Sequence, residues 1–95
     1  MNLVWSAQAR TDLDEIWLYV AQDRIDAADR LIDRLVDAVR PLADFPRMGM
    51  SRSELAPDLR AITNGAYVIF YRALSGGVRV ERVLHGRRDI TAEAF

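Results

Sequence analysis

Two turn signals between residues 59 and 89 constrain this fold more than any other feature of the sequence. Asn64-Gly65 and Gly76-Gly77 each separate two apolar segments. An Asn-Gly pair in such a place is the strongest short hairpin signal, because type I′ turns need positive φ at both central residues. Glycine suits the second reversal for the same reason. The pattern predicts three antiparallel strands, near residues 59–62, 66–73 and 78–85.

The second and third of these strands carry different side-chain patterns. Residues 67–71 are apolar at every position, as expected of a strand that is covered on both faces. Simple alternation along the third strand places Arg82 in an otherwise apolar row with Val80 and Leu84. An arginine in such a row either pairs with a carboxylate or backbone carbonyls, or reaches past the strand end into a site.

The N-terminal part of the chain predicts a short strand followed by a helix. Residues 2–5 form an apolar segment that ends at Ser6, whose hydroxyl can accept a free amide of the first helical turn. Apolar residues then recur at helical spacing and predict a helix over about 7–22. Leu18 lies off this apolar stripe, so it is either an isolated surface leucine or part of a docking patch.

A second helix is predicted over about 26–44 by a wide apolar stripe. Asp23 or Asp26 is expected to cap its start, and Pro41 is expected to kink or tighten its last turn. Because the link between the two helices is short, they are expected to form an antiparallel hairpin. Residues 45–58 contain two prolines, a glycine and two serines, which is typical of a loop.

Length and composition predict one small α+β domain over residues 1–95, with elements in the order β-α-α-β-β-β. The chain has no cysteine and a single histidine, His85, which argues against a disulfide framework, a metal centre or another cofactor. No apolar run approaches the length of a membrane span, so a cytoplasmic location is expected. All 13 cationic residues are arginine, and every one can make forked contacts with phosphate or carboxylate.

The charges are unevenly distributed along the chain. Residues 1–45 hold nine acids against five arginines, whereas residues 46–95 hold eight arginines against five acids. The predicted sheet is therefore the basic half of the protein. Its cluster of basic side chains suits either an RNA backbone or an acidic protein surface: Arg60, Arg72, Arg79, Arg82, His85, Arg87 and Arg88.

The sequence contains no complete set of catalytic groups of a familiar kind. The one imidazole, His85, has Glu81 as its nearest acid on the same predicted strand face. Four strand residues separate the two, roughly 13 Å, which is too far for a carboxylate to orient the ring. No glycine-rich loop follows a strand and opens a helix, so the usual nucleotide-phosphate motifs find no support.

Several segments in one order resemble the ParE branch of the RelE/ParE toxin superfamily. They are ARTDLDEIWLYVA (9–21), FPRMG (45–49), DLR (58–60), YVIFYR (67–72) and RVLHGRRD (82–89). The resemblance implies a strand, a helical hairpin packed on a small, mainly antiparallel sheet, and the role of toxin in a type II toxin–antitoxin module. It spans nearly the whole chain.

Two activities compete within this superfamily. ParE-like toxins inhibit DNA gyrase by protein binding, whereas RelE-like toxins cleave mRNA on the ribosome with basic residues and a histidine, a glutamate or a C-terminal tyrosine. This chain has no lysine and no tyrosine after Tyr71. The resemblance therefore favours gyrase inhibition without catalysis. An mRNA endonuclease and a non-toxic relative that retains antitoxin binding remain alternatives.

The resemblance also implies a cognate antitoxin, ParD-like and of ribbon-helix-helix type, whose flexible segment wraps the toxin in a hetero-oligomer. DNA is then contacted only through the antitoxin, and no membrane is involved. We expect the target surface to include, by charge and position, Arg60, Arg82, His85, Arg87 and Arg88. We expect apolar antitoxin contacts at Leu18, Leu31, Leu35, Val36 and Tyr71.

Overall fold

The computed structural model describes residues 2–95, which form two α-helices and five β-strands. In chain order the elements are β1 (Asn2–Trp5), α1 (Ala7–Ala21), α2 (Ile25–Val39), β2 (Met50–Ser51), β3 (Leu59–Asn64), β4 (Tyr67–Leu74) and β5 (Gly77–His85). Short 3₁₀ turns lie at Arg40–Ala43 and Ala92–Ala94. Neither helix within residues 2–95 has the length and apolar character that crossing a bilayer would require.

The strands form one mixed sheet in the order β1-β5-β4-β3-β2. β1 runs parallel to β5, and the other neighbouring strands are antiparallel. The predicted α+β class, the N-terminal strand and the three later strands are confirmed. The sequence does not predict β2, because it lies in the proline-containing segment 45–58 and two residues are too few to show a period of two.

The first hairpin is confirmed, but its loop consists of Gly65 and Ala66, one residue later than predicted. Asn64 is the last residue of β3 and pairs with Tyr67. Gly65 has a φ of 58°, and Asn64 has no positive φ. A two-residue loop with glycine at its first central position fits the type II′ class, whereas type I′ needs two positive φ angles.

Ser6 begins α1 and also ties the helix to the sheet. Its Oγ accepts the N–H of Ala9 at 3.0 Å, as the sequence predicts for an N-cap. The same hydroxyl donates to the carbonyl of Glu81 in β5 at 2.8 Å. One serine therefore satisfies an amide of the first helical turn and the carbonyl of Glu81, which lies beyond the last β5 residue that pairs with β1.

The extent of the second helix, with the 3₁₀ turn that follows it, is as predicted, but its N-cap is not. α2 continues into a 3₁₀ turn over residues 40–43, so the tightening expected from Pro41 is confirmed. The capping prediction is wrong, because Arg24 occupies the N-cap position and makes no side-chain cap bond. Asp26 lies in the first turn and pairs with Arg24, and Asp23 is not the cap either.

Both faces of the sheet are covered. The helical hairpin packs on one face over a core formed by Ala9, Leu35, Val39, Leu42, Ile69, Tyr71, Val78, Val80 and Val83. The other face carries a second cluster of Ala56, Leu59, Ala61, Phe70 and Leu84, against which the C-terminal residues pack. Phe95 meets Phe70 edge-on, with ring centroids 4.8 Å apart. This double coverage explains why β4 is apolar on both sides.

A β-bulge in β5 changes which face its side chains occupy. The register between β4 and β5 shifts between Phe70 and Tyr71 and leaves Glu81 as the extra residue. A bulge of this kind displaces the alternation by one position. Val83 rather than Arg82 therefore joins the core under the helices, and the predicted apolar row containing Arg82 is wrong.

Candidate functional site

The guanidinium of Arg82 is held in a forked ion pair with Asp12 of α1. Nε donates to Oδ2 at 2.8 Å and Nη2 to Oδ1 at 2.9 Å, while Nη1 donates to the carbonyl of Ala94 at 2.9 Å. The two charged side chains are only 11% and 4% exposed. Hydrogen bonding to Asp12 raises the pKa of Arg82 above its usual value. Of the two roles considered for Arg82, pairing with a carboxylate is the one observed. Arg82 is therefore mostly buried and is not available to the predicted target surface.

Asp12 also completes the edge of β5 where β1 no longer covers it. β1 pairs with β5 only as far as Val80. Beyond that point Oδ2 of Asp12 accepts the N–H of Val83 at 2.9 Å. α1 therefore satisfies strand groups that another strand would otherwise pair, and this fixes the last residues of β5 against the helix.

Three further members of the predicted basic cluster are occupied within the protein. Arg79 and Arg72 both approach the carboxylate of Glu81, the bulge residue, whose side chain is 16% exposed. Arg60 donates from Nη1 to the carbonyl of Gly49 at 2.7 Å. These three arginines are therefore engaged by partners within the sheet and the loop before β2.

The structure does bring together His85, Arg87 and Arg88, which are all exposed at the end of β5. The N–H of Arg87 donates to Nδ1 of His85 at 3.1 Å, which leaves Nε2 of the exposed ring available to an external partner. The ring meets Tyr67 edge-on at 5.3 Å. His85 pairs with Tyr67, which pairs with Asn64 of β3. Arg60 lies four residues from Asn64 along β3, roughly 13 Å away.

Beside these residues, α1 and the ends of β4 and β5 enclose a cleft of about 360 Å³. Burial raises the pKa of the Tyr67 phenol, and the nearby Tyr19 adds to the rise. Tyr67 is therefore a neutral hydrogen-bond donor near pH 7 and is unsuited to act as a base. The cleft combines aromatic faces, donors and a carboxylate, contributed chiefly by Glu15, Ile16, Tyr19, Tyr67, His85 and Arg88.

The contribution of α1 to this cleft is what sequence reasoning missed. Tyr19 is 76% exposed and follows Leu18, which is 59% exposed. Two adjacent large apolar residues outside the buried stripe were the available signal. Without the packing of α1 against β5, nothing in the sequence places Tyr19 beside His85.

The five residues predicted to contact an antitoxin have very different exposures. Leu18 is exposed, and Leu31 and Val36 are half-buried on α2. Leu35 and Tyr71 are fully buried in the core under the helical hairpin. The prediction is wrong for Leu35 and Tyr71, because the wide stripe of α2 and the inner face of β4 complete this protein's own core.

Tyr71→Phe is expected to lower the free energy of unfolding by about 2 kcal/mol. The buried hydroxyl donates to the carbonyl of Pro46 and accepts the N–H of Gly49, both at 2.8 Å. Its removal leaves this carbonyl and this N–H without their hydrogen-bond partner. Urea denaturation measures the change. Tyr19→Phe, at an exposed site, is the matched control and should stay within about 0.5 kcal/mol of wild type. Equal stability of all three proteins would contradict this role of the hydroxyl.

Known proteins resemble this chain over most of its length. Residues 3–90 match the family model described as "ParE toxin of type II toxin-antitoxin system, parDE". Toxin ParE1 of Mycobacterium tuberculosis is 35% identical over 88 residues, 90% of this chain and 89% of the relative. Toxin ParE1 of Caulobacter vibrioides is 37% identical, covering 84% of this chain and 83% of the relative.

A third relative and a solved structure complete the comparison. Toxin RelE2 of Caulobacter vibrioides is 33% identical, over 92% of this chain and 97% of the relative. The structure titled "Chromosomal ParDE TA system from P. aeruginosa" superposes with a TM-score of 0.76 at 25% identity, covering 90% of this chain and 95% of that one. The sequence segments, the fold and these matches agree, and the chain belongs to the ParE toxin family of type II toxin–antitoxin systems.

Proposed function

We propose that this chain inhibits DNA gyrase by protein–protein binding and is neutralised by a ParD-like antitoxin. One observation carries the proposal: four of the seven predicted basic residues are tied to internal partners, namely Arg60, Arg72, Arg79 and Arg82. The remaining donors, at His85, Arg87 and Arg88, suit the recognition of an acidic macromolecular surface. In this proposal the toxin works in the cytoplasm and reaches DNA only through its antitoxin.

We propose that the cleft beside His85 serves in binding and not in RNA cleavage, because neither Nδ1 of His85 nor the Tyr67 phenol is available as a base. Cleavage requires one group that removes a proton and another that supplies one, both within hydrogen-bond reach of the reacting atoms. Nδ1 of His85 is already engaged by the backbone of Arg87, and the raised pKa of Tyr67 keeps that phenol neutral. The similarity to a toxin named RelE2 supports mRNA cleavage as the second candidate, and a non-toxic antitoxin-binding relative is the third.

Controlled expression of the chain without its neighbouring genes distinguishes these functions. Gyrase inhibition predicts filamentous growth arrest with an induced DNA-damage response, and loss of supercoiling activity when purified toxin is added to gyrase. Rapid loss of translation with ribosome-dependent cuts in mRNA would replace the proposal with the nuclease. Normal growth together with retained antitoxin binding would identify a non-toxic relative.

His85→Gln is expected to change toxicity by no more than a few-fold, because glutamine retains a hydrogen-bond donor at this exposed position. A general acid or base at the same place would contribute roughly 10²–10⁴-fold. The measurement is the toxin concentration that halves gyrase supercoiling, together with the expression level that arrests growth. A loss of roughly 100-fold or more in growth arrest without a matching loss of gyrase inhibition would favour catalysis by His85.

A further inference from the structure

The cleft beside His85 has two walls, and each carries an aromatic ring. Glu15 and Tyr19 are both exposed on α1, and residues four apart lie on the same side of a helix. On the sheet side, Tyr67 and His85 are paired residues of β4 and β5, and their rings meet edge-on. Apolar side chains, including Ile16, complete the lining. A flat apolar group would therefore meet aromatic surface on both sides.

Four polar groups around this cleft lack a hydrogen-bond or ion-pair partner among residues 2–95. They are the carboxylate of Glu15, the hydroxyl of Tyr67, Nε2 of His85 and the guanidinium of Arg88. The four arginines that are paired inside the protein differ from them, because each already has an internal acceptor. A ligand in the cleft can engage the four free groups without breaking an existing contact.

The charges at the cleft define what can bind there. Arg88 lines it and Arg87 precedes Arg88, so a negative group is favoured at this end. Of the two acids in the lining, Asp12 is already paired with Arg82, which leaves Glu15 as the free acceptor. The occupant therefore needs a carboxylate for Arg88 and an O–H or N–H donor for Glu15.

Size and surface favour an aromatic side chain as the occupant. The cleft has a volume of about 360 Å³, near the lower end of the range for binding pockets, and admits one large side chain rather than a whole helix or strand. Aromatic rings that meet edge-on or offset attract one another beyond the effect of buried area. Tyrosine and tryptophan combine such a ring with an O–H or N–H donor, which leucine and phenylalanine lack.

We propose that this cleft binds one tyrosine or tryptophan side chain of the gyrase target, whose ring packs between Tyr19 and Tyr67 while a neighbouring acidic residue of the target pairs with Arg88. This inference rests on the proposed function and names the chemistry that the target must present. Tyrosine, tryptophan and arginine are enriched among the residues that contribute most to interfaces, and such residues tend to face one another across an interface. An aromatic residue beside an acid matches both the rings and the charges of the cleft.

Short blocked peptides test the occupant without gyrase. Acetyl-Asp-Tyr-Asp-amide is titrated into the wild-type toxin, with Asp-Leu-Asp lacking the ring and Asn-Tyr-Asn lacking the charges as matched controls. The first peptide is expected to bind at least about fivefold more tightly than either control. It should also shift the NMR signals of His85, the only histidine of the chain. Equal affinities of the three peptides, or an unchanged His85 signal, would overturn the aromatic and acidic occupant.

Replacing Tyr19 tests the same cleft with gyrase itself. Tyr19→Ala removes one aromatic wall and is expected to weaken inhibition of supercoiling about 10- to 100-fold. Tyr19→Phe keeps the ring and should recover inhibition to within about threefold of wild type. The matched control is Phe45→Ala, which removes an aromatic ring that is 65% exposed in the loop before β2. Its inhibition should also stay within about threefold of wild type.

The outcomes separate the cleft from the proposed function. Full inhibition by Tyr19→Ala, or an equal loss in Phe45→Ala, overturns the cleft as the target site while gyrase inhibition by the wild-type toxin stands. Weaker antitoxin binding by Tyr19→Ala with unchanged gyrase inhibition would assign the cleft to the antitoxin and overturn the inference in the same way. A wild-type toxin that does not inhibit gyrase overturns the proposed function itself, and with it the identity of the target.

Discussion

Replacing Asp12 with alanine is expected to lower the free energy of unfolding by about 3–5 kcal/mol, a large part of the total for a domain of this size. Asp12 is 4% exposed and forms a forked pair with Arg82. Its removal leaves the guanidinium charge largely buried without a partner, and it also removes the acceptor for the N–H of Val83. Chemical denaturation followed by circular dichroism measures the loss.

Two further variants show whether an unpaired charge causes this loss. Asp14→Ala, on the exposed side of the same helix, is expected to change stability by no more than about 0.5 kcal/mol. Adding Arg82→Leu to Asp12→Ala should restore about 1–2 kcal/mol, because no buried charge then lacks its partner. If the double variant is no more stable than Asp12→Ala alone, the unpaired charge of Arg82 does not cause the loss.

Under the proposed function, reversing both charges after β5, in Arg87→Glu/Arg88→Glu, is expected to reduce gyrase inhibition by roughly 1,000-fold. Arginine is enriched among interface hot spots, which contribute about 2 kcal/mol or more each, and about 4 kcal/mol for two such residues corresponds to three powers of ten. Both side chains are exposed, so the stability of the toxin should not change. Titration of purified variants into a supercoiling assay measures the effect.

Net charge must be separated from position in that experiment. Arg30→Glu/Arg40→Glu makes the same change in charge on side chains that are 65% and 70% exposed and pair with Asp26 and Asp37. This control should retain inhibition within a few-fold. Equal losses in the two double variants would indicate general electrostatic attraction, and full inhibition by Arg87→Glu/Arg88→Glu would move the target surface elsewhere.

The elements with strong local signals were predictable from the sequence. Ser6 before a helical stripe, Pro41 near its end and glycine at each reversal depend on nearby residues alone, and the structure agrees with all three. The resemblance to ParE toxins likewise rests on segments in sequence order. It therefore identifies the family without any knowledge of which side chains meet.

The bulge at Glu81 is what the sequence could not show. Period-two reasoning assumes an unbroken ladder, and one extra residue exchanges the two faces beyond it. Arg82 therefore reaches Asp12, 70 residues earlier in the chain. The burial of Leu35 and Tyr71 was equally hidden, because an apolar stripe does not tell whether its partner belongs to the same chain.

The parallel pairing of β1 with β5 has a consequence for folding during synthesis. The partners of Leu3 and Trp5 are Val78 and Val80, which leave the ribosome only when most of the chain has been made. Until then the helical hairpin has no complete sheet to pack on, and nascent chains expose apolar surface that invites aggregation or chaperone binding. A toxin built this way completes its sheet only after β5 has emerged from the ribosome.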